Sequence, residues 1–460
     1  KDPASRPAGF AAPGFDVSGW KEIPVPSCWQ VQGYDTPVYV NQQYIFKRDW
    51  PRVMGEPPKH FTTYAARNPV GSYRRDFEVP ADWKGQRVFI HFDGVDSFFY
   101  LWINGKYVGF SKDSRTPAVF DITDLVHAGA NTVAVEVYRL SDGSYLECQD
   151  MWRLSGIFRS VSLRARPPVH FLERDGTPFA GSKPASAEVT VAPGQQATVE
   201  LTLAAQAPRL WSAELPELYT LSVTQSEAGA VREAVSCNLG FRKIEVVGPR
   251  FLLNGQPIKL KGTNRHEMMP ESGHTVSRES MFLDIVRLKT ANMNHVRTSH
   301  YPDDPYWLHL CDVHGIYLVD EANIESHGYY YGEQSLSHPK EWEAAHVERV
   351  VAMVHRDKTH PSVVIWSLGN EAGPGKNFEA AHAALKAIDT SRPTHYERNS
   401  SICDLDSTMY PGVGWVASLA ASKNRRKPFY ICEYAHMMNN GNGNLADYQA
   451  AIESSDNAVS

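Results

Sequence analysis

The second half of the chain contains runs of apolar residues that end on acidic or amide side chains. The longest, residues 363–368, is followed by a glycine and then by Asn370 and Glu371. A continuous apolar run of this length, bounded by proline and glycine, is typical of a β-strand that is buried on both faces. Residues 428–432 form a second such run, which ends on Glu433. The pattern therefore predicts two buried strands, each with a glutamate at its carboxyl end.

Strands of this kind alternate with amphipathic helices from about residue 249 onwards. One helix has Ser277 as its N-cap and Met281, Ile285 and Leu288 on its apolar side. This alternation predicts a parallel sheet, and seven strands make up most of an eight-stranded barrel. The predicted strands are residues 258–262, 295–297, 316–320, 363–368, 394–396, 407–409 and 429–432. We expect residues 249–460 to form a (β/α)8 TIM barrel that lacks its last βα unit, as in a truncated or partly observed protein.

The first half of the chain has the period of two that half-buried strands show. Within residues 1–170, Asn104 and Gly105 stand between two apolar strands, which is a strong signal for a β-hairpin. We expect a β-sandwich here, whose many aromatic side chains alternate as core residues do rather than forming a sugar-stacking platform. The same alternation within residues 171–248 predicts a small immunoglobulin-like sandwich. Its predicted strands are residues 187–191, 197–203 and 219–224.

Composition and charge exclude several classes of partner. The 460 residues carry a net charge of −6 with dispersed lysines and arginines, so neither nucleic acid nor a membrane surface is an expected partner. A small polar substrate fits better. Six well-separated cysteines indicate reduced thiols, and no apolar run reaches the roughly 20 residues of a membrane span. We expect a cytoplasmic protein, while the start at Lys1 leaves a periplasmic or secreted location open.

Nearly every predicted barrel strand is followed by ionisable or amide side chains. In a parallel barrel these strand ends share one mouth, so Glu371 and Glu433 are expected to meet there. Two carboxyl groups across a sugar are the minimum for glycoside hydrolysis. A gap of roughly 5–5.5 Å predicts a retaining enzyme and one of roughly 6.5–9.5 Å an inverting enzyme. The strand-end segments are residues 264–267, 299–301, 321–327, 370–371, 409–410 and 433–436.

Several of these segments resemble known motifs. The sequences Asn-Arg-His-Glu, Trp-Ser-Leu-Gly-Asn-Glu and Cys-Glu-Tyr-Ala-His, at residues 264–267, 366–371 and 432–436, resemble motifs of the large multidomain β-galactosidases of glycoside hydrolase family 2. Further matching segments are residues 39–41, 142–145, 149–156, 297–302 and 320–328. The resemblance implies a jelly-roll, galactose-binding-like sandwich, an immunoglobulin-like sandwich and a TIM barrel. It also implies a small β-galactoside as substrate and a homo-oligomer.

The same resemblance implies roles for individual residues. It implies a retaining mechanism with Glu371 as general acid and base and Glu433 as nucleophile. It places Mg²⁺ on Glu325, His327 and Glu371, and Na⁺ with the sugar's 6-hydroxyl on Asp150. The eighth strand, which supplies further sodium ligands in the family, is expected beyond Ser460. The implied substrate contacts are Asn41, Asp150, His266, His300, Asn370, Met409, Tyr410 and His436.

Three alternatives remain open. A β-glucuronidase of the same family carries an Asn-x-Lys segment after the nucleophile, whereas residues 439–444 contain no lysine, so a galactosidase is favoured. A β-mannosidase is a second alternative, and a catalytically inactive carbohydrate-binding fragment is a third. For Glu325, the alternative to a metal is an ion pair with Arg265 or Arg297.

Overall fold

The computed structural model describes residues 3–56, 67–171, 185–203, 205–436 and 443–454. Its strands, in chain order, are β1 Val70–Val79, β2 Arg87–Phe92, β3 Val95–Asp96, β4 Phe98–Ile103, β5 Lys106–Ser111, β6 Ala118–Asp121, β7 Gly129–Tyr138, β8 Gly156–Ile157, β9 Val161–Arg166, β10 Tyr219–Glu227, β11 Ala230–Leu239, β12 Ile244–Val247, β13 Arg250–Leu253, β14 Gln256–Pro257, β15 Gly262–Arg265, β16 His295–Thr298, β17 Tyr317–Glu321, β18 Val363–Ser367, β19 Thr394–His395, β20 Asp406–Met409 and β21 Phe429–Glu433.

The α-helices of the described residues all lie in the second half of the chain. They are α1 Arg278–Thr290, α2 Pro305–His314, α3 Glu343–Asp357, α4 Lys376–Ile388, α5 Val413–Ala421 and α6 Leu445–Glu453. Short 3₁₀ helices lie at Pro3–Ser5, Ala81–Trp83, Thr123–Leu125, Asp142–Leu146 and Lys340–Trp342. None of these helices is long and apolar enough to cross a bilayer.

The first domain is the predicted β-sandwich. Its antiparallel sheets have the strand orders β1-β7-β4-β5 and β6-β2-β9. Asn104 and Gly105, with φ of 49° and 78°, connect β4 to β5 as the predicted hairpin turn. The expectation that the aromatic side chains fill the core holds for Phe99, which is 2% exposed. It is wrong for the outward-facing positions of β4, because the pleat turns every second side chain away from the core. These outer residues are Phe98, Tyr100 and Trp102.

The second segment differs from its predicted strand pattern. Residues 185–203 form no regular strand, although residues 187–191 and 197–203 alternate with period two. Two of their apolar side chains, Val189 and Leu201, are 52% and 42% exposed. The alternating apolar residues therefore have no surface to pack against, and burial does not stabilise a strand here. The third predicted strand, residues 219–224, does form as part of β10, which pairs with β11.

The barrel strands follow the prediction closely. Strands β15 to β19 form one parallel sheet in chain order, and β20 pairs with β21 in parallel. The first predicted strand, residues 258–262, was placed too early, since the parallel register with β16 begins at Gly262. Helix α1 begins after Ser277, whose side chain accepts a hydrogen bond from Ser280 N, and buries Met281, Ile285 and Leu288. The barrel strand ends therefore share one mouth, as expected.

The sandwich docks onto the barrel mouth. The end of the 3₁₀ helix Asp142–Leu146 and the residues after it pair with a barrel loop: Glu325 N donates to Leu146 O at 2.8 Å, and Cys148 N donates to Glu325 O at 3.0 Å. Arg349, on α3, donates to Glu147 Oε1 at 2.6 Å across the same junction. The first domain thus contributes backbone and side chains to the edge of the mouth.

Candidate active site

Glu433 ends strand β21 and has a side chain that is 12% exposed. Two donors hold its carboxylate: Arg297 Nη1 donates to Oε1 at 3.0 Å, and the Tyr410 hydroxyl donates to Oε2. His300 Nε2 lies 3.8 Å from Oε1. Burial and the charge of Glu433 raise the pKa of Tyr410, which keeps its hydroxyl protonated as a donor. The structure therefore presents Glu433 as an oriented carboxylate.

Glu371 lies four residues beyond the end of β18. Its backbone φ of 36° is in the left-handed region, which is unusual for a residue with a side chain. His327 Nδ1 lies 2.5 Å from Glu371 Oε2, and Arg398 Nη2 lies 4.0 Å from Oε1. Burial opposes ionisation of Glu371, but the hydrogen bond and charge of His327 outweigh it and lower its pKa. The contacts with His327 therefore favour the ionised form of Glu371.

A short chain of contacts connects the two glutamates. Arg297, which donates to Glu433, also donates from Nη2 to Asn370 Oδ1 at 2.9 Å. Asn370 immediately precedes Glu371, and its Nδ2 donates to Glu325 Oε2 at 2.9 Å. The ends of β18 and β21 are therefore brought together at the mouth, as the strand pattern predicts.

Glu325, His327 and Glu371 form a group that could hold a metal ion, with one ligand atom of each within 4.8 Å of the others. Glu325 Oε1 is buried and has no hydrogen-bond partner in the described part of the chain. Burial raises the pKa of Glu325 to about 8, with a further contribution from the charge of Glu371. An unpartnered oxygen beside a second carboxylate and an imidazole fits a divalent cation, which would favour the ionised form.

Among the described residues, Glu325 forms no ion pair with Arg265 or Arg297. Arg297 pairs with Glu321 and Glu433, and Arg265 pairs with Asp303 at 2.7 Å. Both arginines are therefore already compensated by other carboxylates. The interpretation of Glu325 as an ordinary ion-pair partner of either arginine is wrong.

The predicted contributions of the first domain lie at the edge of the site. Asp150 Oδ1 accepts a hydrogen bond from Tyr39 OH at 2.6 Å. The neighbouring Gln149 donates from Nε2 to Asn323 Oδ1 at 2.9 Å, which fixes this loop against the barrel. Asn41 has φ of 54°, and its Oδ1 accepts a bond from the next backbone N–H. Within the described residues, the side-chain hydrogen bonds of Asp150 and Asn41 stay inside the first domain.

The remaining predicted substrate contacts lie beside Glu433 or against its neighbours His300 and Tyr410. The rings of His266 and His300 meet edge to face at 5.4 Å. Burial and the nearby His300 lower the pKa of His266, which favours its neutral form. Met409 pairs with Glu433 in the parallel register, and the ring of His436 stacks on Tyr410 at 6.0 Å.

Sequence reasoning missed three residues near the mouth. Glu321, at the end of β17, accepts hydrogen bonds from Arg297, His300 and Ser367. Its place among the strand-end residues was the available signal, but its partners lie on other strands. Tyr331 packs its ring 4.4 Å from that of His327, and the Arg398 guanidinium lies 4.2 Å from the Tyr331 ring. Neither residue stands in a recognisable motif.

Comparison with known proteins gives matches along nearly the whole chain. Residues 14–167 match the sugar binding domain of glycosyl hydrolases family 2, residues 172–242 match a further domain of that family, and residues 244–458 match its TIM barrel domain. The predicted order of sandwich, immunoglobulin-like domain and TIM barrel is confirmed by these matches.

The solved structures similar to this chain have the same architecture. A family 2 member from Bacteroides cellulosilyticus DSM 14838 is 23% identical with a TM-score of 0.73, over 97% of this chain and 63% of the other. A β-glucuronidase from Bifidobacterium dentium is 19% identical with a TM-score of 0.74, over 100% of this chain and 87% of the other. At these identities the likeness shows the fold alone.

Curated relatives are considerably more similar in sequence. A β-galactosidase from Priestia megaterium (strain DSM 319 / IMG 1521) is 42% identical over 96% of this chain, and one from Vibrio vulnificus (strain CMCP6) is 41% identical over 96%. The chain spans about half, 47%, of the length of each relative. These identities and the three domain matches show that the chain belongs to glycosyl hydrolases family 2.

Proposed function

We propose that this chain carries the sugar-binding and catalytic core of a retaining β-galactosidase. The observation that carries the proposal is the chain of contacts from Glu433 through Arg297 to Asn370, which joins the ends of β21 and β18. Glu433 and Glu371 thus lie at the same barrel mouth, where Glu433 contacts Arg297 and Tyr410 and Glu371 contacts His327. The β-galactosidases among its relatives support the choice of sugar.

The surroundings of the two glutamates support different roles. Glu433, held by Arg297 and Tyr410, attacks the anomeric carbon of the bound galactoside and forms a glycosyl-enzyme. Glu371, which must first take up a proton despite its lowered pKa, donates that proton to the departing glycosidic oxygen in the same step. A water molecule then attacks the anomeric carbon, Glu371 takes its proton, and the bond to Glu433 breaks. The carboxylate of Glu433 and the protonated Glu371 are thereby restored.

We propose Mg²⁺ as the cation that Glu325, His327 and Glu371 hold. Its positive charge would supply electrostatic stabilisation to the carboxylates and to bound hydroxyl groups. The support is the geometry of the three ligand atoms and the unpartnered Glu325 Oε1. His327 is an unusual ligand for a hard cation, which normally prefers oxygen.

Further features of the proposed enzyme rest on sequence alone. We propose Asp150 as a ligand of Na⁺. Its carboxylate also accepts a hydrogen bond from the Tyr39 hydroxyl. We also propose a homo-oligomer, from the family resemblance, and a cytoplasmic location, from the six well-separated cysteines. A substrate carboxylate would need a cation after Glu433, and residues 439–444 offer no lysine, so a neutral galactoside is favoured over a glucuronide.

The test is covalent trapping in the native polypeptide. A 2-fluoro galactoside with a good leaving group should inactivate the enzyme, and peptide mapping should find the sugar on Glu433. The Glu433→Gln variant should neither hydrolyse aryl β-galactosides nor take up the label, because an amide cannot serve as this nucleophile. Glu379→Gln, on the exposed side of α4, is the matched control and should behave as wild type.

Two results would contradict the proposal. Label on Glu371 or Glu325 would reverse the assignment of the nucleophile. Hydrolysis of aryl β-glucuronide or β-mannoside in preference to aryl β-galactoside would keep the mechanism and overturn the substrate.

A further inference from the structure

A buried carboxylate lies beneath the proposed nucleophile. Glu321 ends strand β17, is fully buried, and accepts four hydrogen bonds. Arg297 donates to both of its oxygens, from Nε at 2.7 Å and from Nη2 at 3.0 Å. His300 Nδ1 lies 2.7 Å from Oε1, and Ser367 Oγ donates to Oε2 at 2.6 Å. Both carboxylate oxygens are therefore fully engaged.

Two of these partners face Glu433. Arg297 donates from Nη1 to Glu433 Oε1, and His300 directs its other ring nitrogen, Nε2, to within 3.8 Å of the same oxygen. The bidentate contact with Glu321 fixes the plane of the guanidinium, since a fork-to-fork pair has a single favourable geometry. The contact with His300 Nδ1 fixes the ring in the same way. Glu321 thus sets the direction of both groups.

A chain of hydrogen bonds supports Glu321 from behind. The Ser367 hydroxyl, on β18, donates its hydrogen bond to Glu321. The Ser367 oxygen can therefore accept a hydrogen bond from His395 Nδ1, 3.0 Å away. His395 Nε2 then accepts from Ser407 Oγ at 2.8 Å. Burial lowers the pKa of His395 to about 3, which is consistent with a neutral ring that donates on one side and accepts on the other. The chain crosses from β20 through β19 and β18 to Glu321.

We propose that Glu321 is a positioning residue for the nucleophile: through Arg297 and His300 it fixes the orientation of the Glu433 carboxylate for attack. Among the described residues, Glu321 forms no hydrogen bond or ion pair with Glu371, whereas two of its partners lie directly beside Glu433. This proposal rests on the proposed function, in which Glu433 is the nucleophile.

The test compares variants of Glu321 in the native polypeptide. Glu321→Gln keeps the size of the side chain but places an amide opposite the donors Arg297 and Ser367, so one of them loses its acceptor. We expect the rate of glycosyl-enzyme formation, measured as inactivation by the 2-fluoro glycoside, to fall about 100-fold, as a misplaced reacting group can cause. Glu321→Asp retains the charge and should recover part of this loss. Ser367→Ala should lower the same rate about tenfold.

The dependence on the leaving group separates positioning of the nucleophile from loss of the proton donor. Misplacing Glu433 slows attack on all substrates, so Glu321→Gln should lower kcat/KM equally for aryl glycosides with good and poor leaving groups. Added azide should not restore turnover. A loss confined to poor leaving groups, or rescue by azide, would overturn the proposal.

A matched control addresses general destabilisation. Asp389 is also a buried carboxylate, which accepts from Arg392 Nη1 at 2.6 Å and from the indole of Trp366, the neighbour of Ser367 on β18. Asp389→Asn should lower the melting temperature without changing the inactivation rate. If Glu321→Gln and Ser367→Ala also change only the melting temperature, Glu321 is structural and the proposal fails. All rates are compared on the glycoside that wild type cleaves fastest, so an unexpected sugar preference would overturn the proposed substrate alone.

Discussion

Arg349→Met tests the junction between the sandwich and the barrel. Arg349 is buried, with a side chain that is 5% exposed, and it donates from Nη1 to Glu147 Oε1 at 2.6 Å and to Asn323 O at 2.8 Å. Asp113 Oδ1 lies 3.4 Å from the same nitrogen. Methionine keeps much of the apolar stem and removes the charge. Glu147 and Asp113, both from the first domain, then lose their shared cation.

The size of the effect follows from the burial of this ion pair. Removing one partner of a buried pair leaves an uncompensated charge, which costs about 3–5 kcal/mol. That is a large share of a domain's stability of about 5–15 kcal/mol. Replacing both partners should cost less, so the double variant Arg349→Met, Glu147→Gln should recover part of the loss.

The loss should depend on pH. Burial already raises the pKa of Glu147 to about 7 from an ordinary value of 4.5, and Arg349 is the charge that most opposes this rise. Without Arg349 the folded-state pKa rises further, so the folded state binds this proton more tightly than the unfolded state does. Protonation of Glu147 therefore stabilises the folded state. This stabilisation is fully present below the pKa of Glu147 in the unfolded chain and is lost as the pH rises through its pKa in the folded chain. The deficit of Arg349→Met should therefore be larger at pH 8 than at pH 5.5.

Denaturant unfolding of wild type and variants at the two pH values measures these free energies. The double variant should show a weaker pH dependence than Arg349→Met, because glutamine does not titrate. An equal deficit at pH 5.5 and pH 8, or a deficit below about 1 kcal/mol at both, would refute the reasoning, since an exposed pair contributes only that much.

Two further predictions concern the site. Glu371→Gln should lower hydrolysis of lactose-like substrates by about 10²–10⁴-fold and that of activated aryl galactosides much less, with azide restoring turnover as β-galactosyl azide; an equal loss on all substrates without rescue would exclude Glu371 as the acid. Chelation should lower activity and Mg²⁺ restore it, and Glu325→Gln should raise the Mg²⁺ concentration needed by at least about 10–100-fold. Wild-type Mg²⁺ dependence in Glu325→Gln, or full activity after chelation, would show that the metal site is wrong.

Much of the fold is predictable because it depends on local pattern. The Asn104 and Gly105 turn needs positive φ at both positions, and few dipeptides supply it. Strands β17, β18 and β21 are buried along almost their whole length, so their apolar runs stand out against the polar strand ends. Residues 187–191 show the opposite case. Their alternation is a strand signal, but a strand also requires a surface to pack on, which the alternation itself does not report.

The site is predictable to the extent that its residues stand at strand ends. Glu371 and Glu433 are placed at one mouth by their strands alone. The hydrogen-bond partners that distinguish the two glutamates cannot be predicted in this way, because they are distant in sequence. Arg297 is 136 positions from Glu433, and His327 is 44 positions from Glu371. Glu321 has the same strand-end position as the proposed catalytic pair, and its complete burial distinguishes it from Glu371 and Glu433.

The backbone pairing around Glu325 restricts how such enzymes can be recombined. Leu146 and Cys148 of the first domain bond to both sides of the Glu325 peptide, and the same segment continues to Asp150. A chimera that joins this barrel to a relative's sandwich would exchange half of that small ladder. Its barrel could fold correctly and still hold a proposed metal ligand out of place. Engineering by domain exchange should therefore transfer residues 142–150 together with the barrel they contact.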